Sequence, residues 1–147
     1  MSKAGEAAAP APVGLYAPFV RHGALVTLSA ISTARDGQLM RGKVGRDLDL
    51  GAARLAASRA AANLLAVLKD AAGGDLDRVE RMLMVRGYVN ATEDFDRVHH
   101  VIDAASEAII AALGAERGTH ARTALGLATL PNANAVTLEA MAVVKEA

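Results

Sequence analysis

Cysteine is absent from this chain, which excludes disulfides, a thiolate nucleophile and thiolate-based zinc or iron–sulfur ligation. That is compatible with the cytoplasm, where the protein is expected. Aromatic residues supply only 3% of the sequence although hydrophobic residues supply 52%, so the core has to be built from Ala, Leu, Val and Met. An excess of charge is also missing. Sixteen Lys plus Arg face sixteen Asp plus Glu, with no long run of either sign, so there is no electrostatic footprint for nucleic acid, which is not an expected partner. No stretch reaches the roughly 18 uncharged apolar residues that a membrane span needs. Met1 to Pro12 lacks the continuous apolar run of a secretory signal. A soluble protein without membrane contact is expected.

What is present suits one domain, because 147 residues bury one core and fall short of two. Residues 1–12 are Ala/Pro-rich without periodicity and predict a disordered tail, leaving 13–147 as the domain. Ala24 to Ala30 is β-branched or small and apolar, as in a buried strand. Asp36-Gly37 predicts a turn, and Gln38 to Val44 a returning strand, with Gly42 and Gly45 at a bulge or change of direction. Asp47 or Asp49 can cap a helix that runs to about Ala72 and stops at Gly73-Gly74. Its apolar stripe, Ala53, Ala57, Ala61, Leu64 and Leu68, is mostly alanine, which lets the helix axis approach a sheet closely.

Val79 to Asn90 predicts a strand with Leu83, Val85 and Val89 on one face and Met82, Met84, Arg86 and Tyr88 on the other. Neither face is simply polar, so both are expected to meet protein, the second most economically another subunit. A second helix is predicted from about Glu93 to Leu113, ended by Gly114. His120 to Leu130 and Ala135 to Lys145 predict two strands, read as a hairpin through Pro131-Asn132-Ala133-Asn134. Along the last strand Val136, Leu138, Ala140, Ala142 and Val144 form the core row. The order is β, β, α, β, α, β, β.

Several patterns invite chemistry. Gly37 to Lys43 copies the phosphate-binding spacing G-x-x-x-x-G-K, but Val44 replaces the hydroxyl that would hold magnesium and no helix follows at once, so a hairpin is predicted. His99 and His100 are adjacent on a helix, not four apart, and read as solvated or interface side chains. His22 and His120 add no metal spacing. No serine–histidine–carboxylate triad follows from sequence separation alone. Met82, Met84 and Met141 read as core or interface filling.

The segment Ala121-Arg122-Thr123-Ala124, continuing through Leu130-Pro131 to Glu139-Ala140-Met141-Ala142-Val143, resembles the signature of the YjgF/RidA proteins, also described as endoribonuclease L-PSP. Gly14-Leu15-Tyr16, Leu28-Ser29, Asn63-Leu64-Leu65, Gly87-Tyr88-Val89-Asn90 and Asp94-Phe95 occur in family order, so the resemblance spans about Val13 to Val144. Thr119-His120-Ala121-Arg122 looks like a divergent branch. The resemblance implies a chorismate-mutase-like α+β fold, a mixed sheet packed against two helices, and a homotrimer whose sheets form a barrel with clefts between subunits. It also implies cofactor-free and metal-free hydrolysis of enamines and imines to 2-keto acid and ammonia.

In that frame Arg122 would bind the substrate carboxylate with its planar fork. Glu139 would orient water, and Tyr16, Ser29, Ala30, Ala124 and Thr137 would complete a pocket for a small-molecule carboxylate. The sequence departs from the family in ways that bear on activity. Catalytically competent relatives carry two acidic residues on the final strand, and Thr137 occupies the first of those places, roughly 7 Å from Glu139. Ala124 replaces a small or thiol residue, Ala30 a glycine, and Asp103 a helical asparagine. An imine deaminase with a rearranged acid is one reading, and a metabolite-binding or regulatory trimer without turnover is the alternative. The RNA cleavage attributed to some relatives is the weakest, given the balanced charge and few aromatics.

Overall fold

The computed structural model describes residues 8–146. Residues 1–7 of the expected tail lie outside the described residues. Helix α1 (Leu50–Ala71) starts where Asp49, in extended backbone, accepts a hydrogen bond from the Ala52 amide at 2.8 Å. This satisfies one of the amides a helix start leaves free. It ends where Gly74 donates to Lys69 O at 2.8 Å across Gly73, whose φ of 80° lies in the left-handed region. The alanine stripe works as expected: Ala53, Ala57 and Ala61 are fully buried with Leu64 and Leu68. They let α1 lie close against both the sheet and α2 (Val98–Leu113). Helix α2 begins five residues later than the sequence suggests. No side chain caps it at Arg97, and a turn in which Phe95 N donates to Thr92 O at 3.2 Å precedes it.

The five-stranded sheet has the order β1-β2-β5-β3-β4. Strands β1 (Phe19–His22) and β2 (Leu25–Ile31) form the first hairpin, turning at Gly23 with a φ of 62°. The expected partner strand at Gln38 to Val44 is not there. That segment makes only isolated bridges, Arg35 with Gln38, Arg41 with Asn134, and Val44 with Leu48 and Ala91. The physical reason is Gly42 and Gly45, at φ of 130° and 98°, which turn the chain before a ladder can extend. The buried Thr33 then pins the loop, donating to Asn134 Oδ1 at 2.6 Å and accepting from Met40 N at 2.9 Å.

The order differs from the expected one at two places: Phe19–His22, not Gln38 to Val44, pairs with the first predicted strand, and a short helix, Ala115–Gly118, follows α2. Strands β4 (Ala121–Leu127) and β5 (Val136–Val144), moreover, are not a hairpin. Strand β3 (Val79–Asn90) lies between them, antiparallel to β5 and parallel to β4, so β3–α2–β4 is a crossover unit. The link after β4 turns through Pro131 with Asn132 and Ala133 at φ near 57° and 58°, and carries the chain past β3.

Face parity on β3 also differs from simple alternation. A register shift between Met82 and Met84 places Met82 in the core, fully buried, and turns Leu83 outward, 38% exposed. Past the bulge Val85, Gly87 and Val89 face the helices, and Met84, Arg86 and Tyr88 the open face. On β5, Val136, Leu138, Ala140, Ala142 and Val144 are all buried, as the alternation predicts. The open face carries exposed Leu25, Leu83, Leu125 and Leu127. Among the described residues no helix is long and apolar enough to cross a membrane.

Candidate functional site

Two polar places stand out. The first is a cavity of about 960 Å³ whose walls include Tyr16, Ala30 and Thr137, three residues singled out in the sequence. Arg35, Asp36, Arg41, Asn63 and Tyr88 line it as well. Its floor is held by two buried amides. Asn63 on α1 donates to Ser32 O and Ala34 O, both at 2.8 Å, which fixes the loop after β2. Asn134 donates to Val136 O at 2.7 Å and to Thr137 Oγ1 at 3.0 Å, orienting the threonine hydroxyl. The Tyr16 phenol oxygen accepts from Val13 N at 3.2 Å, which ties the entering chain over the cavity. Ser29 lies beside it in a smaller recess of about 60 Å³, and its hydroxyl is spent on Ala17 O at 2.5 Å. The bond ties the chain before β1 to β2 and leaves the hydroxyl hydrogen unavailable to a ligand.

Glu139 stands behind the cavity wall. On β5 it pairs in register with Arg86 and accepts a hydrogen bond from the Tyr88 phenol, with Arg86 Nη1 at 3.7 Å. The carboxylate holds the Tyr88 proton and raises its pKa above the ordinary phenol value, an effect that burial reinforces. Tyr88 therefore connects the cavity to the carboxylate.

The second place is built by Arg122. Its register partner on β3 is Val85, a core residue, so the side chain rises on the helix face. There Nη1 donates to Asp103 Oδ1 at 2.6 Å and to Ser106 Oγ at 3.2 Å, and Nη2 to His99 O at 3.4 Å. The hydrogen bond from Arg122 lowers the Asp103 pKa below the usual carboxylate range against the opposing effect of burial. His100 Nδ1 is 3.5 Å from the other Asp103 oxygen. Ser106 also meets His120 Nε2 at 3.0 Å, and His120 Nδ1 meets Gly118 O at 2.7 Å. Ala124 is on the same face of β4, half-buried.

Within one chain, then, Arg122 and Glu139 are not brought together. Tyr16, Ala30 and Thr137 share the cavity, Ser29 adjoins it, and Ala124 goes with Arg122. Arg41, Asn63 and Tyr88 were not foreseen as site residues. Asn63 had a signal, a polar amide in an otherwise apolar helix run; Arg41 lay in a segment read as a returning strand of a hairpin. Among the described residues no group of three His, Asp or Glu is placed to hold a metal ion.

No protein-family profile matches the chain. Protein TCP17 of Trypanosoma cruzi is 36% identical over 135 residues, covering 91% of this chain and 84% of TCP17. The crystal structure of the Agrobacterium tumefaciens protein Atu1372, of unknown function, superposes with a TM-score of 0.86 at 37% identity, over 89% of this chain and 82% of that one. The E. coli YjgF gene product shares the fold at a TM-score of 0.68 and 23% identity, over 93% of this chain and 94% of its own.

Proposed function

Because the chain belongs to the YjgF/L-PSP family, also called RidA, we propose that it binds small 2-imino or 2-keto acids in clefts completed by neighbouring copies of a homotrimer. The observation that carries this reading is the cavity of about 960 Å³, which gathers Tyr16, Ala30 and Thr137 with the Tyr88 phenol and the Arg41 guanidinium. A small carboxylate needs a cation and a few fixed hydrogen-bond partners on otherwise apolar walls. Arg41 is exposed and has no side-chain partner among the described residues. Arg122 of an adjoining copy is the second cation, held in place by Asp103.

The reaction such a cleft would run is hydrolysis of a C=N bond. Water adds to the imine carbon, the nitrogen takes a proton, and collapse of the carbinolamine expels ammonia and leaves the 2-keto acid. Tyr88 and Glu139 supply an oriented proton-carrying pair at the wall. One observation favours binding without turnover as a second reading. Thr137 cannot act as a base, and Glu139 is already engaged by Tyr88 and Arg86.

The experiment measures ammonia and keto-acid release from imines generated in situ from several amino acids, with wild type and Arg122→Ala, alongside calorimetric titration with 2-keto acids. Acceleration that vanishes in the variant supports the deaminase. Saturable binding without acceleration supports the binding protein, and neither binding nor acceleration refutes both.

A further inference from the structure

We propose that Ser106 and His120, beside the Arg122 that the proposed cleft also uses, form a reactive pair, a serine nucleophile for short-chain acyl esters at the α2–β4 edge. The argument begins with a tautomer. His120 Nδ1 is 2.7 Å from Gly118 O, and a carbonyl oxygen only accepts, so Nδ1 carries the hydrogen. In the neutral ring Nε2 then keeps its lone pair. Ser106 Oγ, at 3.0 Å, must be the donor to it. The same oxygen accepts from Arg122 Nη1 at 3.2 Å. The hydroxyl is therefore drawn from both sides, its proton toward an imidazole and its oxygen toward a fixed cation. A nucleophile, a base and a group that orients the base constitute an activated hydroxyl.

Packing holds the arrangement. A Cβ on Gly118 would stand 2.9 Å from Ile110 Cα, so the carbonyl that orients His120 sits in a close backbone contact with α2. Asp103 anchors Arg122 at 2.6 Å from the other side. Ser106 and His120 are both half-buried.

The chemistry balances without any further reactant than water. Ser106 Oγ forms a bond to the ester carbonyl carbon while its proton passes to His120 Nε2, and the carbonyl oxygen becomes an oxyanion beside Arg122. Collapse breaks the bond to the leaving oxygen, which takes the proton from His120 and departs as the alcohol. Water then attacks the acyl-serine, giving its proton to His120, and the acid leaves as Ser106 recovers its hydrogen. The imidazolium that forms in each half is stabilised by the Gly118 carbonyl.

The test exposes purified protein to p-nitrophenyl acetate and follows p-nitrophenol release, intact mass and the acetylated peptide. The site predicts one acetyl group on Ser106 and a release rate that falls about a hundredfold in Ser106→Ala and in His120→Gln. Acetylation confined to lysines or the amino terminus, or equal release from Ser106→Ala, would overturn it. A second measurement uses the absence of cysteine, since Ser106→Cys creates a single thiol. Its alkylation by iodoacetamide should slow about tenfold when His120→Gln is added, because the thiolate is the reacting form. Equal rates with and without His120 would also sink the proposal.

Discussion

Tyr88 donates its phenol hydrogen to Glu139 across the β3–β5 ladder, on the sheet face opposite the one where Arg122 meets Asp103. The two carboxylate-bearing places of this chain are therefore separated by the sheet itself. Within one chain Arg122 and Glu139 cannot act on the same small substrate.

The Tyr88 pair can be titrated directly. The chain has two tyrosines, so Tyr16→Phe leaves Tyr88 as the single phenol. Its ultraviolet titration should show a midpoint above the usual value of about 10, and adding Glu139→Ala should bring it down. Because the folded pKa is raised, the pair's contribution to stability is fully present below about pH 10 and is lost as pH rises through the folded value. The stability gap between the two proteins should close at alkaline pH.

For Asp103 the sign is reversed. Its folded pKa is lowered, so the contribution is present above about pH 4 and is lost as pH falls through the folded value. Asp103 is 41% exposed in its side chain, so Asp103→Asn should cost no more than about 0.5 kcal/mol at neutral pH by denaturant unfolding. Losing the group that holds Arg122 in place should also weaken 2-keto acid binding severalfold in calorimetry. Unchanged affinity would mean that Arg122 does not hold the ligand carboxylate.

Neighbouring positions on β3 should respond very differently to truncation. Met82 is fully buried and Leu83 is turned outward by the bulge. Met82→Ala should cost about 2–5 kcal/mol in chemical denaturation. Leu83→Ala in monomeric protein should cost less than about 1 kcal/mol. Equal costs would argue against the register shift.

At Gly87 a side chain of α2 lies directly over β3. A Cβ there would lie 2.5 Å from Ile102 Cδ1, inside a fully buried side chain that has nowhere to go. Gly87→Ala should therefore destabilise by about 1–3 kcal/mol. At Gly126 the same substitution meets Val98 Cγ1 at 3.3 Å and should be milder. Thermal unfolding of the two variants side by side would show the difference.

Much of the fold was legible because its signals are local. The Asp49 cap, the alanine stripe and the Gly73-Gly74 stop each act within a few residues of the structure they determine. So does the alternation that buries Val136 to Val144 on one face of β5. The candidate residues Tyr16, Ala30 and Thr137 were legible for a different reason, their place in a motif shared with a family. What stayed hidden depends on which segments pair. Phe19 to His22 is too short to announce a strand, and it becomes one only because Gly23 folds it onto β2. The β4–β5 pair looked like a hairpin until β3 was found between them.

The amino-acid sequence by itself determined where α1 starts and stops, the core row of β5 and the family, since capping, periodicity and motif are properties of neighbouring residues. Only the tertiary structure decided that Arg122 belongs with Asp103, Ser106 and His120 while Glu139 belongs with Tyr88. Strand order and the bulge at Leu83 set the face on which each side chain emerges, and both arise from backbone pairing between segments far apart in the chain.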